Sequence, residues 1–392
     1  MTVCWGLGLA ILMTAGLMAV AQTPGLRTNG KIAFMSDRDG NRQIFVMEPD
    51  GSKQTRITDD TSPLNDFPAW SPDGKKIAYI SQRPSGIYAI FQMNADGSGR
   101  REITPVNFQP VTTYATGWAI SWSPDGNRLA FTDVVNGKNV VGIVNADGTG
   151  RRLLVNGFGP SWSPDGSKIL FILGPFPWGV FTIRPDGSDF HALPQMPDYY
   201  NFYYDATWSR TGDQIAITAF DGANEVVFIA NANGTNAQPF FFQCMSSPQG
   251  CSRLASPSWS PDNKSMVLLV WGYQSGVQIQ VVDVADGSFR QLTDTVNGNN
   301  SNPSWQALTM VSMSGRVSTP AGTGLRNAVV TLTDSLGVKR TATTSSFGYY
   351  SFGDVIAGET YTVSVTSRQY RFTPRTISVN DNLTNVDLVG LE

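Results

Sequence analysis

Trp70-Ser71-Pro72-Asp73-Gly74, followed by Lys76-Ile77-Ala78-Tyr79-Ile80, decides the fold because it recurs. It returns intact from Trp122 to Gly126 and from Trp162 to Gly166. Altered copies are Trp208-Ser209-Arg210-Thr211-Gly212 and Trp259-Ser260-Pro261-Asp262-Asn263, and a last trace is Pro303-Ser304-Trp305. Successive tryptophans stand 52, 40, 46, 51 and 46 residues apart. A self-similar period of about 40–50 residues marks a propeller or another repeat array.

Each repeat has the same grammar. In the second, Phe67-Pro68-Ala69-Trp70 is a short strand a and Pro72-Asp73-Gly74 a turn. Strand b is Lys76 to Ile80, strand c Ile87 to Met93, and strand d Arg101 to Thr104 after a turn at Asp96-Gly97. Proline presets φ at the first corner of a type I turn, Asp suits the next position, and Gly takes the left-handed residue closing a short hairpin. The Ser hydroxyl caps the turn. The motif is therefore a folding device, not a catalytic one. The b strands, such as Lys31 to Met35, Lys168 to Phe171 and Met266 to Val270, are near-continuous apolar runs. Such strands are covered on both faces, as blades cover one another in a propeller.

Six b-c-d units begin near Lys31, Lys76, Arg128, Lys168, Gln214 and Met266, and six a strands end at the repeat tryptophans. The array opens without an a strand and ends with one that lacks b-c-d. The strand ending at Trp305 is expected to complete the first blade and leave no open edge. The predicted fold class is all-β: a six-bladed β-propeller over about 27–307 closed by the last a strand, then a small antiparallel β-sandwich over 310–392.

The 392 residues carry a net charge of −3 with both signs interspersed and no basic stripe, so a nucleic-acid partner is not expected. Cys4 to Ala21 is almost wholly apolar, and Ala19-Val20-Ala21 fits a cleavage site, so 1–21 is expected to be an export signal. No Lys or Arg precedes the apolar run, which leaves an uncleaved N-terminal anchor as the alternative and the one expected link to a membrane. Cys4 does not end a lipobox. The expected location is periplasmic, cell-surface or secreted. Cys244 and Cys251 share one loop, and in an oxidising compartment they are expected to form a local disulfide, with free thiols as the alternative.

The unit Trp-Ser-Pro-Asp-Gly, Lys-Ile-Ala, Ile-Phe/Tyr-x-Met-x-x-Asp-Gly, Leu/Ile-Thr resembles the propeller repeat of the TolB family. Asp37-Arg38-Asp39-Gly40-Asn41 followed by Ile44-Phe45-Val46-Met47 is especially close. The resemblance covers about 280 residues and implies a protein of the bacterial cell envelope. From about Met310 the Pro-Asp-Gly turns and tryptophans cease and short strands follow at regular spacing. Gly315-Arg316-Val317, Asn327-Ala328-x-Val330-x-Leu332, Thr344-x-x-x-Gly348-x-Tyr350-x-Phe352 and Ala357-Gly358-x-Thr360-Tyr361 resemble the carboxypeptidase regulatory-like (prealbumin-like) domain. That resemblance implies a spacer or contact module, and its grouping with carbohydrate binders is fold analogy only.

Catalytic constellations are missing from the reading. The single histidine, His191, cannot build a His-rich metal centre or a His-paired nucleophile with its orienters. No Gly-x-Ser-x-Gly elbow occurs. Asp37 to Asn41 fails calcium-loop spacing. No metal and no cofactor are expected.

In an up-and-down blade the a–b and c–d turns share one rim, and the b–c and d–a connections share the other. The first rim is short and stereotyped. The second carries long aromatic loops, and recognition tends to reside on such loops over a rigid scaffold. The ligand-face candidates are Tyr114, Trp118, Trp178, Tyr200, Tyr203, Trp271 and Tyr273. The first reading is a non-enzymatic binding protein whose loop-rich face contacts a protein or peptide of the cell envelope. A carbohydrate-binding or carbohydrate-processing protein, with a glycan on the aromatic rim, is the second. A purely structural surface protein is the third.

Overall fold

The computed structural model describes residues 27–58, 62–107, 120–174, 179–194, 202–220, 225–241, 254–272, 276–294, 298–335 and 337–391. The expected signal 1–21, Cys244 and Cys251 lie outside them. The described residues are all-β. The first sheet contains β1 (Arg27–Ser36), β2 (Gln43–Met47) and β3 (Thr55–Arg56). The second is β4 (Asn65–Trp70), β5 (Lys76–Gln82), β6 (Tyr88–Asn94) and β7 (Arg101–Val106). The third is β8 (Ile120–Trp122), β9 (Arg128–Val135), β10 (Lys138–Asn145) and β11 (Arg152–Asn156). The fourth is β12 (Phe158–Trp162), β13 (Ile169–Leu173), β14 (Gly179–Ile183) and β15 (His191–Ala192). The fifth is β16 (Phe202–Trp208), β17 (Gln214–Phe220), β18 (Glu225–Asn231) and β19 (Gln238–Phe241). The sixth is β20 (Leu254–Trp259), β21 (Ser265–Gly272), β22 (Gly276–Asp283) and β23 (Phe289–Gln291). Strands adjacent in sequence are adjacent in these sheets.

β24 (Asn300–Ser318) supplies the first sheet with the strand it lacks: Ile32 pairs with Trp305 and Ser36 with Asn300. The same strand then runs without a break through the expected domain boundary. It pairs from Met310 to Arg316 with β27 (Tyr349–Ile356) of the C-terminal domain. The second sheet of that domain has the order β26-β25-β28-β29, formed by β25 (Val329–Thr333), β26 (Lys339–Thr343), β28 (Glu359–Thr366) and β29 (Arg375–Val379). Two details depart from the sequence reading. β29 was not foreseen, and the sandwich is not purely antiparallel: β30 (Leu388–Val389) pairs parallel with β24. The returning chain is held by backbone bonds, Val386 N–H to Ser314 at 3.0 Å and Gly390 N–H to Ser318 at 2.8 Å, and by side chains that accept further backbone donors, Asn382 from Ser312 at 2.7 Å and Asp387 from Arg316 at 2.8 Å.

The apolar b strands behave as their composition requires. Ile32-Ala33-Phe34-Met35 is at most 1 % exposed, and Ile169 to Ile172 is fully buried. Their covers are the neighbouring sheets. Each repeat tryptophan sits in the apolar cluster that its sheet shares with the one before it. Trp70 joins Ala33, Ile44 and Val46; Trp122 joins Ile80 and Ile90; Trp162 joins Ala130 and Val141. Trp208 joins Leu170 and Ile172, and Trp259 joins Ala216 and Val227. Trp305 joins the sixth sheet through Val267 and Ile279. The motif is thus a wedge between sheets as well as a turn.

The turn is built as the residue types demand. Ser71 Oγ donates to Asp73 at 2.6 Å and accepts the Lys76 N–H at 2.9 Å. The same bonds recur at Ser123, Ser163 and Ser260. The hydroxyl holds the Asp125 and Asp165 carboxyls below the usual carboxylate range. Gly74 has φ +69°, and a Cβ there would stand 2.7 Å from the Ala307 carbonyl oxygen of β24. Gly74→Ala should therefore destabilise the protein by at least about 1–2 kcal/mol. Gly287→Ala, at a matching φ of +71° but facing open space, should show the backbone strain alone. Equal losses in equilibrium denaturation would refute the close-approach account.

Candidate functional site

β4, β8, β12, β16, β20 and the start of β24, one strand from each of the six sheets, line one cavity of about 210 Å³. Hydroxyls one residue before the tryptophans tie these strands together. Ser304 Oγ accepts the Trp70 N–H at 3.1 Å, Ser121 Oγ the Trp162 N–H at 2.9 Å, and Ser161 Oγ the Trp208 N–H at 3.4 Å. These serines are structural acceptors in a polar-walled passage.

One end of the cavity is bordered by Pro72, Pro124, Pro164 and Arg210 on the short-turn side. Arg210 stands where four other copies carry proline (Pro72, Pro124, Pro164 and Pro261). Its Nη2 donates to the Trp305 carbonyl at 3.2 Å, linking the fifth sheet to the first. Unlike proline, Arg210 has a backbone N–H, and Asn263 Oδ1 accepts it at 2.7 Å. Asn263 in turn replaces the turn glycine of its own copy and keeps the left-handed backbone, with φ 59°. The two degraded copies of the motif therefore compensate one another.

The other end is shaped by β-bulges. Register shifts occur between Asp66 and Ala69, between Phe158 and Ser161, and between Ala255 and Ser258. β24 has a matching shift between Ser301 and Ser304. The residue three before the tryptophan takes a left-handed conformation: Phe67 (φ 54°), Gly159 (φ 63°), Ser256 (φ 53°) and Asn302 (φ 53°). A bulge re-aims a side chain and disrupts the ladder locally. For Phe67, a bulky residue, this is an outlier of the kind that clusters at functional sites.

Two buried carboxyls of the cavity-lining strands stand at this end, Asp66 on β4 and Asp205 on β16. Asp66, 1 % exposed, accepts from Arg42 Nη1 at 3.2 Å, Asn302 Nδ2 at 2.7 Å and the Phe67 N–H at 2.7 Å. Ser256 Oγ donates to Asn302 at 3.1 Å and extends the network to the sixth sheet. Burial raises the Asp66 pKa, opposed by Arg42. Asp205 is different. It is 9 % exposed, lines the cavity, and receives no side-chain donor among the described residues. Burial raises its pKa to about 7, opposed only by the Ala206 backbone. The mouth thus has a satisfied polar network on one side and a lone, poorly solvated carboxyl on the other. A carboxyl so placed can accept N–H donors or pair with a cationic group.

The aromatic candidates fare unevenly. Tyr114, Trp118, Trp178, Tyr200 and Tyr273 lie outside the described residues. Tyr203 is corrected: it is 5 % exposed and packs with Leu170, Ile172 and Ala206 between the fourth and fifth sheets. The aromatic run around it includes β16, where side chains alternate faces and Tyr203 points inward. Trp271 is half-buried against Leu269 and Val277. His191 is exposed on β15. No group of three or more His, Cys, Asp or Glu that could hold a metal occurs among the described residues. Asp205 was missed by the sequence reading; its one signal was a carboxylate inside an a strand, three residues before a repeat tryptophan.

Comparison with known families identifies two domains. Residues 14–175 match the family described as TolB beta propeller domain, and residues 312–389 match the carboxypeptidase regulatory-like domain. The chain therefore carries a TolB-type β-propeller domain followed by a carboxypeptidase regulatory-like domain. Among relatives, it is 32 % identical over 139 residues to "Tol-Pal system protein TolB" of Desulfosudis oleivorans, covering 35 % of this chain and 29 % of that protein. It is 38 % identical over 132 residues to "Protein TolB homolog" of Chlorobaculum tepidum, covering 33 % and 27 %. The matches thus span under a third of either relative. Among solved structures, TolB from Acinetobacter baumannii aligns with TM-score 0.59 at 22 % identity, covering 71 % of this chain and 66 % of that one. At that identity the likeness shows the fold alone.

Proposed function

We propose that the protein is an exported, non-enzymatic interaction protein of the bacterial cell envelope. It receives a protein or peptide segment at the bulged mouth of the cavity. On this reading the six sheets are the blades of one ring, closed where β24 pairs with β1 and where the sixth sheet packs on the first. The observation that carries the proposal is Asp205: a buried carboxyl that faces the cavity and, among the described residues, has no side-chain donor lacks what a bound segment would supply. Leaving a polar group so poorly satisfied is costly. The TolB-type repeats support an envelope setting.

The test is photo-crosslinking in envelope extract. A crosslinking residue in place of Pro63, exposed in the connection that leads into β4 on the long-loop side, is expected to trap a defined partner. One in place of Asn127, exposed on the short-turn side, is not. Asp205→Asn should weaken capture from position 63 by about tenfold, the scale of one lost charge-assisted contact. Capture from position 127 alone, or capture indifferent to Asp205→Asn, would sink this reading.

A further inference from the structure

We propose that the far tip of the C-terminal sandwich docks on an anionic lipid bilayer. Phe347, Tyr349, Val389 and Leu391 would enter the interface, and a group of arginines would meet the phosphate headgroups. This inference is independent of the cavity reading.

The strand pairings locate the tip. β24 pairs with β1 up to Thr309 and with β27 from Met310 to Arg316, so its last residues lie furthest from the first sheet. Arg316 pairs with Tyr349, Val317 with Leu388, and Val329 with Thr366. These registers bring four stretches to the same end: 319–328, 344–349, 367–374 and 389–391. The stretches touch. Arg316 Nε donates to the Phe347 carbonyl at 2.9 Å, and the Leu391 N–H donates to the Arg371 carbonyl at 2.8 Å. Gly390 packs so closely on Tyr370 that a Cβ would stand 3.0 Å from it.

The chemistry at this end is one-sided. Phe347 is 71 % exposed, Tyr349 60 %, Val389 55 % and Leu391 53 %. Large apolar side chains gathered in the open mark an interaction surface. Between them stand Arg316, Arg326, Arg368, Arg371 and Arg375, and no ion pair among the described residues engages any of the five. The one described carboxylate at this end is Asp387, which accepts the Arg316 N–H. Asp334, Glu359 and Asp381 follow or precede the strand ends that face the propeller. The Arg316 guanidinium lies 5.7 Å from the Tyr349 ring centre, an aromatic–cation pair suited to a headgroup layer. Apolar side chains that enter the acyl boundary, flanked by cations that stay at phosphate level, are what a charged bilayer surface selects.

The test is vesicle co-sedimentation of the chain from Gln22 onward, which contains every described strand. Vesicles are phosphatidylcholine alone or mixed with phosphatidylglycerol. The protein should bind the mixed vesicles, and added salt should weaken binding. Phe347→Ser with Tyr349→Ser, and separately Arg368→Glu with Arg371→Glu, should each reduce partitioning by about tenfold or more. All four positions are exposed, so the melting temperature should not move. Three outcomes would overturn the proposal: no binding to mixed vesicles, undiminished binding by either double variant, or self-association through the tip that these variants abolish without lipid.

Discussion

Replacing Trp305 with alanine lowers the unfolding free energy by about 3–5 kcal/mol, the range for a buried Trp or Phe truncated to Ala. The side chain is 2 % exposed and fills the cluster formed by Ile32, Phe34, Val267 and Ile279. Its Nε1 donates to the Gly30 carbonyl at 3.0 Å, so truncation also strands a buried acceptor. The substitution acts on the contact between the first and sixth sheets, whose residues are far apart in sequence. Urea denaturation followed by far-ultraviolet circular dichroism measures the loss. A change below about 1 kcal/mol, the size of a typical surface effect, would mean that β24 does not hold the first sheet against the sixth.

Asp205→Asn should stabilise the protein in alkaline solution and do little in acid. The folded pKa is raised to about 7 from an ordinary 3.8. Below both values the carboxyl is protonated in either state and imposes no penalty. As pH rises from 3.8 to 7 the unfolded chain loses the proton that the folded chain keeps, so stability falls. Above 7 both states are ionised and the penalty is constant. At about 1.4 kcal/mol per pH unit the full cost is on the order of 4 kcal/mol. The neutral amide removes that pH dependence. Melting temperatures at about pH 4 and about pH 8, on either side of the titration, decide the matter. A variant equally shifted at both, or destabilised at the higher pH, refutes the desolvation account. On the proposed reading, a bound cationic segment would offset part of that cost.

Much of the architecture was legible because it is local and repeated. The tryptophan spacing, the Ser-Pro-Asp-Gly turn chemistry and the apolar b strands each follow from neighbours in sequence. The surplus strand at Trp305 could be assigned by counting. The mouth was not legible, because its meaning lies between strands. Asp66 meets Asn302 across a separation of 236 residues, and Arg210 meets Asn263 across 53. Nothing local distinguishes the satisfied Asp66 from Asp205, which has no side-chain donor among the described residues. The left-handed Phe67 was equally hidden, since phenylalanine is a residue from which no positive φ is expected. Tyr203 misled because an aromatic-rich run suggests a surface loop, whereas part of this one is a strand. The boundary near residue 310 was placed by composition, and composition cannot reveal that one strand spans it.

That shared strand also sets an order in time. The Lys31 N–H bonds the side chain of Gln306, 275 residues later. During synthesis β1 exists long before β24, so one edge of the first sheet must wait, unpaired, for almost the whole propeller to be made. Contacts of such sequence separation form slowly, and a waiting strand edge invites pairing with other chains. The partner strand then brings the sandwich with it, since both belong to one continuous segment. Completion of the first sheet and attachment of the last domain therefore rest on one strand.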